Sequence, residues 1–443
     1  MDAEASGPLC AVAGWSPMRG RSAPACHSRT VPMTQLRSAT RPSVATLPVL
    51  DSMRAVAAIA VLATHASFWG GAYGHRGYGT ALARLDIGVA IFFVLSGFLL
   101  SRPWFEHHAR RTTPPPVRVY LWRRLLRIVP VYLISAVAAL TLLPGNQGAS
   151  PATWVETLTL TNIYVDDQLP DGLTQMWSLA TEVAFYVVLP GVMWLALSRR
   201  RDGAHSTSRL GVVVALLVVV NVAWLLNTAY GMKTSGTMAA LWLPSYLTWF
   251  AVGLVIAAAA VHLDTARDTD AAESSAVAQA LRQMGRSPGV CWTAGLAIFA
   301  VAATPVAGPA LLVAPGFGEA LTKNVLYAVI AGLLILPGVF AEAEGRYAKS
   351  FSLPLLRHLG HISYGVFCVH LVVLELVARW RDMELFYGRT FELFVLTLAI
   401  SLAVSELLYR LVERPVMRWK SVLDPRGSSN RPSTTPSPAT TSS

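Results

Sequence analysis

Long apolar runs recur along the chain, separated by short segments rich in charge, glycine and proline. A hydrocarbon layer about 30 Å thick takes about 20 residues of helix to cross. Runs of that order lie at about residues 48–69, 86–103, 125–143, 175–197, 210–229, 238–261, 290–307, 324–340, 355–378 and 391–412. No period-two alternation competes with them, and a helix satisfies its own backbone donors and acceptors inside lipid. The pattern predicts an all-α integral membrane protein, a bundle of about ten transmembrane helices.

Composition agrees, with 53% hydrophobic and 14% charged residues against about a quarter charged in an ordinary soluble domain. Lysine and arginine accumulate in one alternate set of loops, so the positive-inside rule predicts cytoplasmic termini and a multi-pass protein of the plasma membrane. Topology then accounts for most of the net charge of +11, and no nucleic-acid partner is needed. The expected partner common to all segments is the lipid bilayer.

Residues 1–46, rich in Ser, Pro, Ala and Arg, predict a disordered cytoplasmic tail without a signal-peptide core, with Met33 as an alternative start. Residues 47–420 form the expected membrane domain, and 421–443 a Ser/Thr/Pro-rich tail. With no soluble catalytic domain in this layout, the chemistry is expected within the helices and their loops. Cys291 and Cys368 fall in predicted helices and Cys10 and Cys26 in the tail, so no disulfide is expected. No zinc spacing, HExxH or Walker loop occurs, and neither a metal nor a permanently bound cofactor is expected. The stretch from His262 to Gly289 predicts a short interfacial helix around Val277–Met284.

Ionisable residues inside a span are expensive and therefore informative. The first span carries Arg54 and His65. Eleven helical residues return to within about 20° of the same direction and rise about 16.5 Å, so both side chains line one wall at different depths. That separation suits a donor with an anionic head and a reactive group on a long arm. A snorkelling arginine and a core histidine are the bland alternative. Counting from the ends of their spans puts Glu182, in the fourth, at the depth of His65, where its carboxylate would orient the imidazole. Tyr186 shares the face of Glu182. Ser96 and Gly97 interrupt the second span as small packing residues. Glu406, Arg410 and Glu413 read as a structural ion pair on the tenth helix.

The arginine, ten residues, histidine arrangement resembles the signature of the membrane acyltransferase-3 family. Further matches follow in order: GVAIFFVLSGFLLSRPWF (Gly88–Phe105), YLWRRLLRIVPVYL (Tyr120–Leu133), QMWSLATEVAFYVVLP (Gln175–Pro190), LGHISYGVFCVHLVV (Leu359–Val373) and YRLVERPVMRW (Tyr409–Trp419). One departure is Ala90, where the family often has Asp before the paired phenylalanines; Asp86 is the nearby substitute. The resemblance implies an O-acyltransferase that moves an acyl group, acetyl by default, from acyl-coenzyme A as co-substrate to a hydroxyl of an envelope glycan, a glycolipid or a small-molecule acceptor.

On that reading His65 is the general base and Glu182 its orienting carboxylate, with a transient acyl-histidine as the open alternative. Arg54, Arg123, Arg124 and Arg127 are the candidates for coenzyme A phosphates, against simple membrane anchoring. Trp177, Tyr186 and His370 are candidates for substrate or oxyanion contacts. A transporter or flippase is the alternative function, although no internal repeat or matched pair of broken helices supports it.

Overall fold

The computed structural model describes residues 47–114, 116–198, 207–231, 238–268, 275–310, 313–386 and 388–423. The expected tails, with Cys10 and Cys26, lie outside these residues apart from 421–423. Ten helices make the frame: α1 (Pro48–Trp69), α2 (Ile87–Ala109), α3 (Val117–Leu142), α4 (Met176–Leu197), α5 (Thr207–Tyr230), α6 (Leu247–Asp268), α7 (Pro288–Ala302), α8 (Phe317–Phe340), α9 (Pro354–Trp380) and α10 (Thr390–Leu408). The described residues contain no strand. Proline opens α1, α7 and α9, where its missing N–H is not needed and its fixed φ is already helical.

Among the described residues nine helices are long and apolar enough to cross a membrane, which makes this a multi-pass membrane protein. The expected seventh span is a 15-residue helix, α7, shorter than the others. Pro305 begins a new turn three residues beyond α7, and so the run to 307 is not one helix. Even so α7 traverses the bundle. Gly285, just before it, packs on Leu336 and Phe340 at one end of α8. At its other end the buried Arg84 donates from Nε to the carbonyl of Ala302 at 2.9 Å and from Nη2 to that of Ala307 at 3.0 Å. Arg84 thereby satisfies carbonyls left orphaned where α7 stops. The amphipathic segment between α6 and α7 does form a helix, Ala276–Gly285.

The connections divide the bundle into a basic end, with the α2–α3 turn and the 417–421 turn, and an acidic end, with the long 143–175 connection. At the core α2 and α6 meet closely. A Cβ on Gly97 would strike the Phe250 carbonyl, and one on Gly253 the Val94 carbonyl, so these glycines let the backbones touch. α1 packs along α9, whereas α4 packs on α2.

Beyond α10 the chain winds into a π turn, Tyr409–Glu413. Glu406 pairs with Arg410 at 2.5 Å, as its spacing suggests. The π turn instead sends Glu413 inward to Arg127, 3.0 Å away.

Candidate active site

Two cavities open on opposite parts of the bundle and share no lining residue among those described. The one toward the basic end is narrow, about 90 Å³, and is lined by Arg54 from α1, Ser96 from α2, Arg124 and Arg127 from α3, and Glu182 and Tyr186 from α4. It has room for a slender chain or a few waters, not for a nucleotide. Arg54 reaches Asp51 at 3.3 Å. Arg127 is held by the buried Glu413. Arg124 turns its face to the cavity with its buried Nε free of any hydrogen bond. Arg123, one position earlier on the helix, does not line it.

Glu182 is the hub of this cavity. Its Oε1 accepts from the Ser96 hydroxyl and, at 2.8 Å, from the Tyr186 hydroxyl. The expected pairing of Glu182 with His65 therefore does not form, and Ser96 is more than packing. The cause lies at the start of α4. Gln175, 2% exposed, donates from Nε2 to the carbonyls of Phe367 (3.4 Å) and Cys368 (3.2 Å), deep within α9. The helix thus begins already sunk to the level of the histidines, and seven more residues carry Glu182 about 10 Å further toward the basic end.

His65 has a different partner. Its Nδ1 lies 3.0 Å from Nε2 of His370, with the rings stacked at 5.2 Å. Nδ1 of His370 faces two carbonyls, Val366 at 3.1 Å and Phe367 at 2.8 Å. Carbonyls only accept, so His370 carries its proton on Nδ1 and offers the lone pair of Nε2. His65 then donates from Nδ1, which leaves its Nε2 as an unprotonated acceptor in the neutral pair. Chemically this is an oriented base.

His65 lines the larger cavity, about 640 Å³, at the acidic end, together with Asp86, Trp177, Lys323 and Glu375. Such a volume is typical of small-molecule sites. Asp86 accepts from Lys323 Nζ at 2.6 Å and from the Tyr327 hydroxyl. It stands in the cavity of the histidine, while Ala90 is fully buried. Tyr73 also lines it, outside the spans; burial pushes its phenol up to about 12, so it stays a neutral hydroxyl. Of the oxyanion candidates, Trp177 shares the His65 cavity and Tyr186 does not. His370 is fully buried behind His65. Sequence reasoning missed Arg84 and Lys323, charged residues just outside the expected spans, where ordinary loop charge hides them, and it missed Glu375, whose place inside the expected ninth span was the signal that could have found it.

The model of the acyltransferase-3 family, described as an acyltransferase domain, matches residues 47–410. The chain belongs to that family. Its membrane domain is thus that of a membrane acyltransferase, and the match covers every helix that lines the two cavities. Among curated relatives it is 28% identical over 430 residues to the acyltransferase MdmB of Streptomyces mycarofaciens, covering 90% of this chain and 99% of MdmB. It is 24% identical over 405 residues to the peptidoglycan O-acetyltransferase OatA of Listeria monocytogenes, covering 86% of this chain and 58% of OatA. A shorter match, 26% identical over 187 residues, covers 39% of this chain and 27% of the putative peptidoglycan O-acetyltransferase YrhL of Bacillus subtilis. No solved structure matches the chain.

Proposed function

We propose that this acyltransferase takes an acyl group, acetyl by default, from acyl-coenzyme A at the basic end and delivers it to a hydroxyl held at the acidic end. The acceptor is a glycan, a glycolipid or a comparable polyol. One observation carries the proposal: a single wall of α1 presents Arg54 to the narrow basic cavity and His65 to the wide acidic one. The nucleotide of coenzyme A, too large for the narrow cavity, stays at its mouth with its phosphates on Arg54 and Arg124. The slim arm enters beside Glu182 and Tyr186. Phe92 and Phe367, which stack edge to face at 6.1 Å and line the narrow cavity, stand between it and His370. Their rotation lets the thioester reach the level of His65.

There the acceptor oxygen attacks the thioester carbonyl while its proton passes to His65 Nε2. His370 steadies the imidazolium by accepting its Nδ1 proton in a hydrogen bond. The indole N–H of Trp177 is available to the tetrahedral oxyanion. Collapse breaks the carbon–sulfur bond, the thiolate recovers the proton from His65, and the ester and free coenzyme A leave. Glu182 then has no proton-transfer role; it fixes Ser96 and Tyr186 as walls of the donor passage. The membrane is the plasma membrane, with the basic end cytoplasmic.

The direct test incubates purified protein in detergent with acetyl-coenzyme A and follows thiol release with and without saccharide acceptors. Acceptor-dependent release is expected, and none under any condition would overturn the proposal. In the same assay Arg124→Ala is expected to raise the apparent donor constant about tenfold to a hundredfold, since a charge-assisted contact is worth about 1.5–3 kcal/mol. Arg124→Lys should recover only part of it, because an ammonium keeps the charge but loses the fork. Anchoring alone would leave both variants like wild type. Arg127 is the poorer probe, because its removal strands the buried carboxylate of Glu413.

Orientation has its own test. Single cysteines at Asp166 and at Arg110, in a cysteine-free background, are expected to label from outside intact cells only at Asp166. Labelling of both, or of Arg110 alone, would reverse or break the assigned topology.

A further inference from the structure

A third cavity, about 410 Å³, lies against the His65 cavity and shares Asp86, Trp177, Pro315 and Lys323 with it. Three aromatic rings form one side of it: Trp177, Tyr246 and Trp249. Adjacent centroids are 5.1 Å (Trp177–Tyr246) and 4.9 Å (Tyr246–Trp249) apart. Phe93, 1% exposed, backs all three at 6.4, 5.6 and 5.9 Å. The Trp249 indole is pinned by donation to the Asn324 carbonyl at 2.8 Å, and Asn324 Nδ2 donates to the Ser245 carbonyl at 2.8 Å. These rings are therefore a fixed wall. They differ from an interfacial aromatic belt, which faces lipid, because Trp249 is only 5% exposed and is held inside the bundle.

The polar groups of this cavity are incompletely used. Ser245 is 1% exposed, lines the cavity, and its hydroxyl has no hydrogen-bond partner. Burying a hydroxyl unpaired is costly, so an occupant that pairs with it is favoured. Lys323 spends one donor on Asp86 and has others to offer.

We propose that this aromatic chamber binds a glycosyl ring of the acceptor, adjacent to the unit whose hydroxyl meets His65. A sugar ring has a C–H face for an aromatic wall and equatorial hydroxyls for its rim, here Ser245, Lys323 and Asp86. An alkyl chain would fill the apolar part and leave the Ser245 hydroxyl unpaired. Trp177, lining both cavities, marks the boundary between the reacting unit and its neighbour. The acceptor is on this account at least two sugar units long. The assignment rests on the reading that the acceptor reacts in the His65 cavity.

The test is calorimetric titration of the full-length protein in detergent with cellobiose and N,N′-diacetylchitobiose, their monosaccharides, and 1-decanol as the alkyl probe. At least one disaccharide is expected to bind more tightly than its monosaccharide. Tyr246→Ala should weaken that disaccharide about tenfold or more, and Tyr246→Phe, which keeps the ring, should bind like wild type. Unaltered acetyl-coenzyme A binding reports that the variants are folded. Binding of neither disaccharide, equal binding by Tyr246→Ala and wild type, or Tyr246-dependent binding of decanol alone would overturn the assignment. The two readings fail separately: if wild type binds the disaccharide yet never acylates it, the His65 reading fails while this subsite stands.

Discussion

His65→Ala is expected to lower acyl transfer by about 10²- to 10⁴-fold, the usual contribution of a positioned general base. Expression, extraction and thermal stability should change little. His65 borders a cavity of about 640 Å³, so truncation enlarges an existing space rather than opening a void in packed core. The structural losses are the stacking on the His370 ring and the 3.0 Å hydrogen bond to it; the bond is worth about 1 kcal/mol, and water in the adjoining cavity can take its place at His370. Acetyl-coenzyme A affinity should be unchanged, because the proposed phosphate contacts lie at the basic-end cavity, where Arg54 is about 16.5 Å along α1 from His65. The assay is thiol release at saturating donor and acceptor, normalised to folded protein. Turnover above about a tenth of wild type would be incompatible with His65 as the base.

The second large effect is expected at His370, through a reversal of the usual order of tolerance. His370 is fully buried on α9, among residues such as Phe367 and Leu371. If it only filled space, leucine would be the mild substitution and glutamine the harmful one, since a buried amide needs partners. If its Nε2 lone pair fixes the tautomer of His65, the order inverts. His370→Leu then removes the acceptor, frees the His65 ring to place its proton on either nitrogen, and should cost about 10²-fold in kcat with the donor KM unchanged. His370→Gln presents a carbonyl oxygen at similar reach and should stay within about tenfold of wild type. Leucine matching or exceeding glutamine in kcat would reduce His370 to packing and leave His65 without an assigned orienting partner.

The membrane span pattern was legible because it is a local property: crossing lipid requires about 20 apolar residues whatever their neighbours are. The relation between Arg54 and His65 was legible for the same reason, since the helical period alone sets their shared wall. α7 was the weakest of the spans to read, because Pro305 sits inside an apolar run without changing its hydropathy, and only backbone geometry ends the helix at Ala302.

Pairing between helices was not legible. Depth counted from the expected end of a span put Glu182 beside His65, but the sinking of Gln175 onto the carbonyls of α9 moved it to the narrow cavity at the basic end. His370 appeared as one more histidine on an apolar face until α1 and α9 were laid together. The role of Ser96 likewise depended on α2 meeting α4. Within this protein the sequence by itself determined the all-α membrane fold, the family and the shared wall of Arg54 and His65 on α1. Tertiary structure decided the partner of each ionisable group and the division into separate cavities. The physical reason is that hydropathy and helical period act over a few turns of one segment, whereas hydrogen bonds between helices depend on tilt, depth and rotation, which are set by all the packing partners together.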